Sequence, residues 1–383
     1  MSSLTRVIAL LALTSTISSA PHHQDATSTV PATSSAATAF PPTQTQPQKP
    51  FTPPGGLGTN GTPPVYAPLS DFDFQSLNLA LNQEWIELDL FHFGLAKFSE
   101  EEFEDAGLDA EDRYLIEYMA DQEVGHAIAL SNILGPTAAK PCNYSYPFTD
   151  VRGFVDFCQK LTRFGESGVL GFIEHLNSRD AANVLIQSIT TESRQQMIFR
   201  QFEGLFPMPV WFIPGITQSM AWTLLANYIT TCPDENPRIE WQNFPGLNIT
   251  NNPAPNEQNL TPGISSNVSA LSSPGQEVQL TWENPGKVTG YDQLYRTNTT
   301  AGEPKFVAWI SQLNVTYSPL TNVSGNSGST IQPAGRIFGG DTAPLINGTS
   351  FVLITDADPF ITVANVSMLN SHIVAGPAIY QAG

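Results

Sequence analysis

Basic residues are scarce in this sequence: 16 Lys and Arg stand against 35 Asp and Glu, for a formal net charge of -19. A nucleic-acid-binding domain carries the reverse balance, and an acidic surface gives no support for binding anionic membranes. Cysteine is scarcer still. Three in 383 residues cannot build a disulfide scaffold, and an odd number leaves at least one thiol free or shared with another molecule. No apolar run reaches the ~20 residues of a membrane-spanning helix. Beyond residue 235 there is one histidine, His372, and no cysteine, so that part of the chain offers no catalytic constellation.

What is present begins with a hydrophobic fraction of 41%, which suits a globular chain and not a disordered one. The length allows two or three domains and a substantial core. The first 20 residues, MSSLTRVIALLALTSTISSA, combine one Arg, a short apolar run from Val7 to Leu13 and small residues before Ala20. That is the layout of a secretory signal peptide cut near Ala20, although Pro21 leaves the bond itself open. Export agrees with the Asn-x-Ser/Thr sequons at Asn60, Asn143, Asn248, Asn259, Asn267, Asn298, Asn314, Asn322, Asn347 and Asn365, several of which are expected to carry glycans. Residues 21–70 are largely Ser, Thr, Pro and Ala. They have too little apolar surface to offset the entropy of ordering and read as a disordered stalk. Cys142 and Cys232 each adjoin a proline in a loop-like context and are expected to pair, whereas Cys158 falls in a predicted helix as a buried thiol.

From Leu77 to about Thr231 the apolar period is helical. The first stripe runs Leu77, Leu81, Glu84, Leu88, Phe91, Leu95, Phe98 and is ended by the acidic loop SEEEFEDAGLDAED. Further helices are predicted over about 110–134, stopping at Gly135-Pro136, then 153–178, 180–205 and a short apolar one over 215–231. After Pro237 the character changes. Short alternating runs such as EVQLTW, FVAWIS and SFVLIT, set between turn residues, predict an all-β region, with a sandwich as its form. The domain reading is therefore 71–235 helical and 236–383 β-rich, a multi-domain α+β chain.

The stretch YMADQEVGHAIALSNIL of the second helix poses a chemical question. Its stripe of Leu115, Met119, Leu130 and Ile133 continues through Glu123 and His126, so a carboxylate and an imidazole point where a core belongs. An unpaired buried charge is costly. The other helices repeat the pattern, with Glu84 on the first, Glu166 on the third (Val155, Cys158, Thr162, Glu166, Val169, Phe172, Leu176) and Glu192 on the fourth (Leu185, Ile189, Glu192, Gln195, Phe199, Phe202). Glu166 and Glu192 are equidistant from the turn near Arg179, so an antiparallel pair sets them side by side. Bringing Glu123 to the same height requires the second and third helices to be parallel. The connector must then return along a bundle of roughly 37 Å, which about 17 extended residues, reaching roughly 55 Å, can do.

Four carboxylates in one dry layer repel strongly, and bound cations resolve this. Carboxylate and imidazole donors suit iron, manganese or zinc. Helical bundles hold two metal ions with one Glu from each of two helices and a Glu-x-x-His from each of the others. Here Glu84 and Glu166 fill the single-Glu places, and Glu123 with His126 is one intact pair. Glu192 with Gln195 is a pair whose His has become Gln. The segments NLALNQEWIELDLFHFGL, DQEVGHAIAL, GESGVLGF and ITTESRQQMIFRQF resemble the ferritin-like domain of desiccation-related proteins over about residues 70–235. Among these, the chain is most similar to the fungal stress-response and late-sexual-development proteins, whose branch CPDENPRIEWQNFPGLNITNNP also resembles. The resemblance implies the ferritin-like fold and the ligand layout, and it implies little about a reaction. Gln195 departs from the full ligand set and puts the second metal position in doubt.

Two functions compete on these residues. One is a secreted protein with a di-iron or di-manganese centre, ligated by Glu84, Glu123, His126, Glu166, Glu192 and Gln195, doing oxidative or metal-sequestering chemistry. The other is a metal-free, non-enzymatic surface or cell-wall protein whose polar layer is satisfied by Arg194, Gln195, tyrosines and water. Its β-region would serve adhesion or spacing. A glycosylated β-region on each chain opposes assembly of a storage cage. Glu87, one turn from Glu84, could replace it or support it, but off the stripe it reads rather as a flank residue; His92 and His175 read as surface or rim histidines, and the Gly165, Gly168, Gly171 series as close helix packing.

Overall fold

The computed structural model describes residues 63–255, 260–264, 268–340 and 342–383. The signal peptide, most of the stalk and the sequons at Asn60, Asn259 and Asn267 lie outside the described residues. Four long helices form the bundle: α1 (Asp71–Lys97), α3 (Ala110–Leu134), α4 (Val151–Phe172) and α5 (Arg179–Phe202). The acidic loop after α1 contains a short helix of its own, α2 (Glu100–Asp105), because Ser99 and Glu102 form a reciprocal capping box. Ser70, Asp109, Asp150 and Ser178 cap α1, α3, α4 and α5 by accepting from backbone N–H groups of the first turn.

The long crossover takes the path that the carboxylate register demands. Ala139 lies beside the start of α1, accepting from Trp85 Nε1 at 2.9 Å and donating to Asn78 Oδ1 at 3.3 Å. Tyr146 then reaches Asp89 at 2.7 Å, and Phe148 accepts from Lys97 Nζ at 3.0 Å. The chain thus climbs α1 from its first half to its last residue before α4 begins. α4 descends antiparallel to α1, with Phe154 against Gly94, Leu161 bonded to Gln83, and Asn177 and Ser178 donating to Asp73. α3 and α4 are therefore parallel. A strand pair, β1 (Asn143–Tyr144) with β2 (Ile229–Thr231), ties the crossover to the chain beyond α5. The adjoining Cys142–Cys232 disulfide ties it again, and Cys158 is free and buried.

Three boundaries differ from the sequence expectation. α4 ends at Phe172 and passes through a 3-10 turn, Ile173–His175, after which Asp73 accepts from the Asn177 and Ser178 N–H groups. α5 stops at Phe202. The fifth helix shrinks to α6 (Gln218–Leu225), since residues 229–231 are drawn into β2.

The C-terminal part builds two antiparallel four-stranded sheets. One orders β3 (Leu247–Ile249), β4 (Glu277–Trp282), β10 (Ser327–Ile331) and β9 (Thr321–Ser324). The other orders β12 (Ile373–Gln381), β11 (Thr349–Thr355), β7 (Phe306–Ser311) and β8 (Asn314–Pro319). A small hairpin, β5 (Val288–Thr289) with β6 (Tyr295–Arg296), stands apart. β4 alternates buried and exposed residues, as a strand with one wet face does. β7 and β11 do not alternate, contrary to the reading of FVAWIS and SFVLIT as alternating runs. Val307, Trp309, Val352 and Ile354 pack with Val278, Leu280 and Trp282 inside the sandwich. Ala308, Ile310, Phe351 and Leu353 share a core with Phe91, Phe164, Phe199 and Trp222 of the bundle. The boundary drawn at residue 235 therefore does not divide the interior. Gln159 bonded to Thr349, and Arg200 bonded to the Gly383 carbonyl, cross the same seam.

The α4 glycines serve close packing. A Cβ on Gly171 would stand 1.7 Å from the Ile216 carbonyl oxygen, and one on Gly165 would stand 2.7 Å from the Gln83 amide. On Gly168 it would meet only the Ala221 methyl, at 3.0 Å. Gly171→Ala is therefore expected to cost about 3 kcal/mol through a backbone clash. Gly168→Ala is expected to be near neutral, its milder clash offset by ~1 kcal/mol of helix propensity. Denaturant melts of the two variants check this, and equal stabilities would refute the packing account.

Candidate metal centre

A polar layer splits the bundle core into two apolar clusters. On one side lie Leu77, Leu81, Ala127, Leu130, Val169, Phe172, Leu185 and Ile189. On the other lie Leu90, Phe91, Ile116, Met119, Cys158, Leu161 and Phe199. Between them sit Glu84, Glu87, Glu123, Glu166, Glu192 and Gln195, none more than 2% exposed. The four stripe carboxylates do share one height, as their spacing from the turns requires. Leu115 does not belong to the stripe. It faces solvent and Ile116 takes its place, so Glu123 looks straight inward while His126 sits at the layer's edge.

His126 turns Nδ1 to the layer, 3.0 Å from Glu123 Oε2 and 3.2 Å from Glu84 Oε2. Ligand atoms of Glu84, His126 and Glu192 lie within 4.8 Å of one another. Glu192 Oε2 is buried without a hydrogen-bond partner, and so are Glu87 Oε2 and Gln195 Oε1. An orphaned buried carboxylate oxygen is rare and demands an explanation. Here it is a donor atom beside two others of the kind that iron, manganese and zinc accept, so the residues present fit a bound cation.

Glu166 and Gln195 are placed differently. Glu166 accepts from Arg163 Nη1 at 2.7 Å and from the Ser193 hydroxyl. Gln195 turns its amide nitrogen to Glu123 Oε1 and Gln122 Oε1. Arg194 is exposed and bonds the Thr190 carbonyl on its own helix, so it satisfies nothing in the layer. His92 and His175 are exposed. Two residues escaped the sequence reading. Glu87 is not a flank residue: it is fully buried, held by Gln83 at 2.7 Å and faces Glu123 and Glu166. Arg163 supplies the buried positive charge. The available signal was the i, i+3 spacing of each to a stripe carboxylate, together with the absence of any Lys or Arg between Asp71 and Lys97.

The charges are unbalanced. Burial pushes the carboxyls of Glu84, Glu87 and Glu192 well above the usual range, and the neighbouring carboxylates push them further. Glu166 is also raised by burial, a shift that Arg163 and Ser193 oppose. Burial pulls the His126 imidazole down, but the Glu123 hydrogen bond and the charges of Glu123, Glu192 and Glu87 outweigh it and leave the group above its ordinary value.

Residues 72–205 match the family model of the ferritin-like domain. With the bundle and its carboxylate layer, this makes the chain a ferritin-like protein. Over 347 residues it is 51% identical to Protein rds1 of Schizosaccharomyces pombe (strain 972 / ATCC 24843), covering 87% of this chain and 86% of that protein. The chain belongs to the fungal ferritin-like family that includes this relative.

A carboxyl raised in the folded state binds its proton where the unfolded chain, titrating near ~4.3, has lost it. Metal-free protein should therefore lose stability as pH rises above ~4.3, the penalty growing until the folded-state values are passed. His126 acts in the same direction, because its stabilisation is present at low pH and fades as pH rises through its raised value. The expected result is a higher melting temperature for metal-free protein at about pH 5 than at about pH 7.5. Manganese(II) should raise the melting temperature more at the higher pH. A flat profile would mean that the layer is already compensated from within.

Proposed function

We propose that this is a secreted fungal stress-response protein whose bundle holds iron or manganese on Glu84, Glu123, His126 and Glu192, for oxidative or metal-sequestering chemistry. The observation that carries the reading is the unpartnered Glu192 Oε2, buried beside Glu84 and His126. Bound iron or manganese would supply Lewis acidity and one-electron chemistry toward dioxygen or peroxide. The chain's own residues do the rest. Glu123 and Glu84 fix the His126 ring with Nδ1 inward. Gln195 orients Glu123 from the opposite side, because a carboxylate accepts only from the amide nitrogen. The two apolar clusters exclude water above and below the layer, which strengthens every charge interaction in it.

Metal content by mass spectrometry, on protein secreted from a eukaryotic host, tests this against a Glu123→Ala, His126→Ala variant. Iron or manganese in the wild type and its loss in a folded variant are expected. A folded wild type that stays metal-free after anaerobic iron(II) would favour the structural reading, with the β-region and stalk meeting cell-wall components.

Secretion is supported by the signal-like first 20 residues and by the Cys142–Cys232 disulfide, since such bonds persist in oxidising compartments. Asn143, Asn248, Asn298 and Asn322 are exposed. The Asn347 amide nitrogen is spent on the Pro209 carbonyl, in a half-buried setting. Glycopeptide mapping of the secreted protein is expected to find glycans at Asn248 and Asn298 and none at Asn347. A chain that stays inside the host, or a glycan on Asn347 alone, would contradict this.

A further inference from the structure

The two halves of the polar layer are not equivalent. On the His126 side, three potential ligand atoms converge and one carboxylate oxygen is left without a partner. On the Glu166 side, Glu87 Oε2 and Gln195 Oε1 also lack partners, but the Glu166 carboxylate itself is already spent. Both Glu166 oxygens are engaged, one by the Arg163 guanidinium and the other by the Ser193 hydroxyl. Gln195 stands where an imidazole would complete a second metal position, and it presents a hydrogen-bond donor to Glu123. Arg163 is itself buried, at 3% exposure, and it is set one helical turn before Glu166 on α4.

We propose that the Arg163 guanidinium takes the electrostatic place of a second metal ion, so that each chain binds one cation, at the Glu84, Glu123, His126 and Glu192 side, and not two. A guanidinium suits this place. Its Nη1 donates to one Glu166 oxygen at 2.7 Å, a charge-assisted bond stronger than a neutral one. A buried guanidinium also cannot leave its carboxylate at small cost, since either partner alone would be an uncompensated buried charge. A cation arriving at Glu166 must displace that pair, whereas one arriving at Glu192 meets a free oxygen. Arg163 thereby acts as a positioning residue that sets how many metal ions the centre holds.

The inference rests on the metal reading above, and stoichiometry separates the two. Full-length secreted protein, stripped of metal, would be titrated anaerobically with iron(II), and separately with manganese(II). Bound ions would be counted by native mass spectrometry. One ion per wild-type chain at saturation is expected, with two in Arg163→Gln and one in Arg163→Lys. Circular dichroism would confirm that each variant is folded. Gln195→His gives an independent arm, since adding the imidazole while Arg163 still holds Glu166 should leave the count at one. Two ions in the wild type, or two in Gln195→His, would overturn the role of Arg163 and leave the metal reading standing. A folded Arg163→Gln that still binds one would overturn it equally. No ion in the wild type would overturn the metal reading, and this inference with it.

Discussion

Mutual repulsion among buried carboxylates is the constraint that organises this molecule. Glu84, Glu87, Glu123, Glu166 and Glu192 arrive from four helices at one height, with Arg163 as the buried guanidinium among them. At an effective dielectric of 20, two like charges 4 Å apart cost about 4 kcal/mol. Such a layer does not persist as a by-product of packing. It fixes the helix register, demands parallel α3 and α4, and so dictates the crossover that climbs α1 past Trp85, Asp89 and Lys97. Apolar residues close the layer from both ends, which makes its electrostatics severe and its donors selective.

Much of this was legible in the sequence, because the bundle obeys a one-sided rule wherever one face meets water. The stripes on α3, α4 and α5 located Glu123, Glu166 and Glu192, and distances from the turns placed them together. The ferritin-like domain was legible from the same helices, and the fungal branch from CPDENPRIEWQNFPGLNITNNP beyond them. Legibility failed where an element is buried on more than one side. α1 is covered by α3, by α4 and by residues 237–244, where Glu240 and Trp241 bond to Gln75. A position off its stripe is therefore not a position in solvent, and Glu87 was misread for that reason. Arg163 was hidden likewise on α4, whose second face meets the β-region. β7 and β11 repeat the lesson, since period-two reading assumes a wet face that they lack.

The layer also holds itself together through its own bonds. Gln195 donates to Glu123 and helps hold it. Glu166 keeps its place by accepting from Arg163 and Ser193. The polar layer thus joins a group of residues able to hold a cation, Glu84, His126 and Glu192, to an internal ion-pair network.

The strand with two cores has a thermodynamic consequence. β11 sends Phe351 and Leu353 into the helical interior and Val352 and Ile354 into the sandwich. Neither core can open without stripping the other of its wall, and the Arg200 and Gln159 bonds cross the same seam. Two architectures that look separable in sequence are therefore packed into a single compact unit over residues 63–383. The bundle's rigidity, and with it the precision of the carboxylate layer, is borrowed in part from strands nearly 200 residues downstream of Glu166 in the chain.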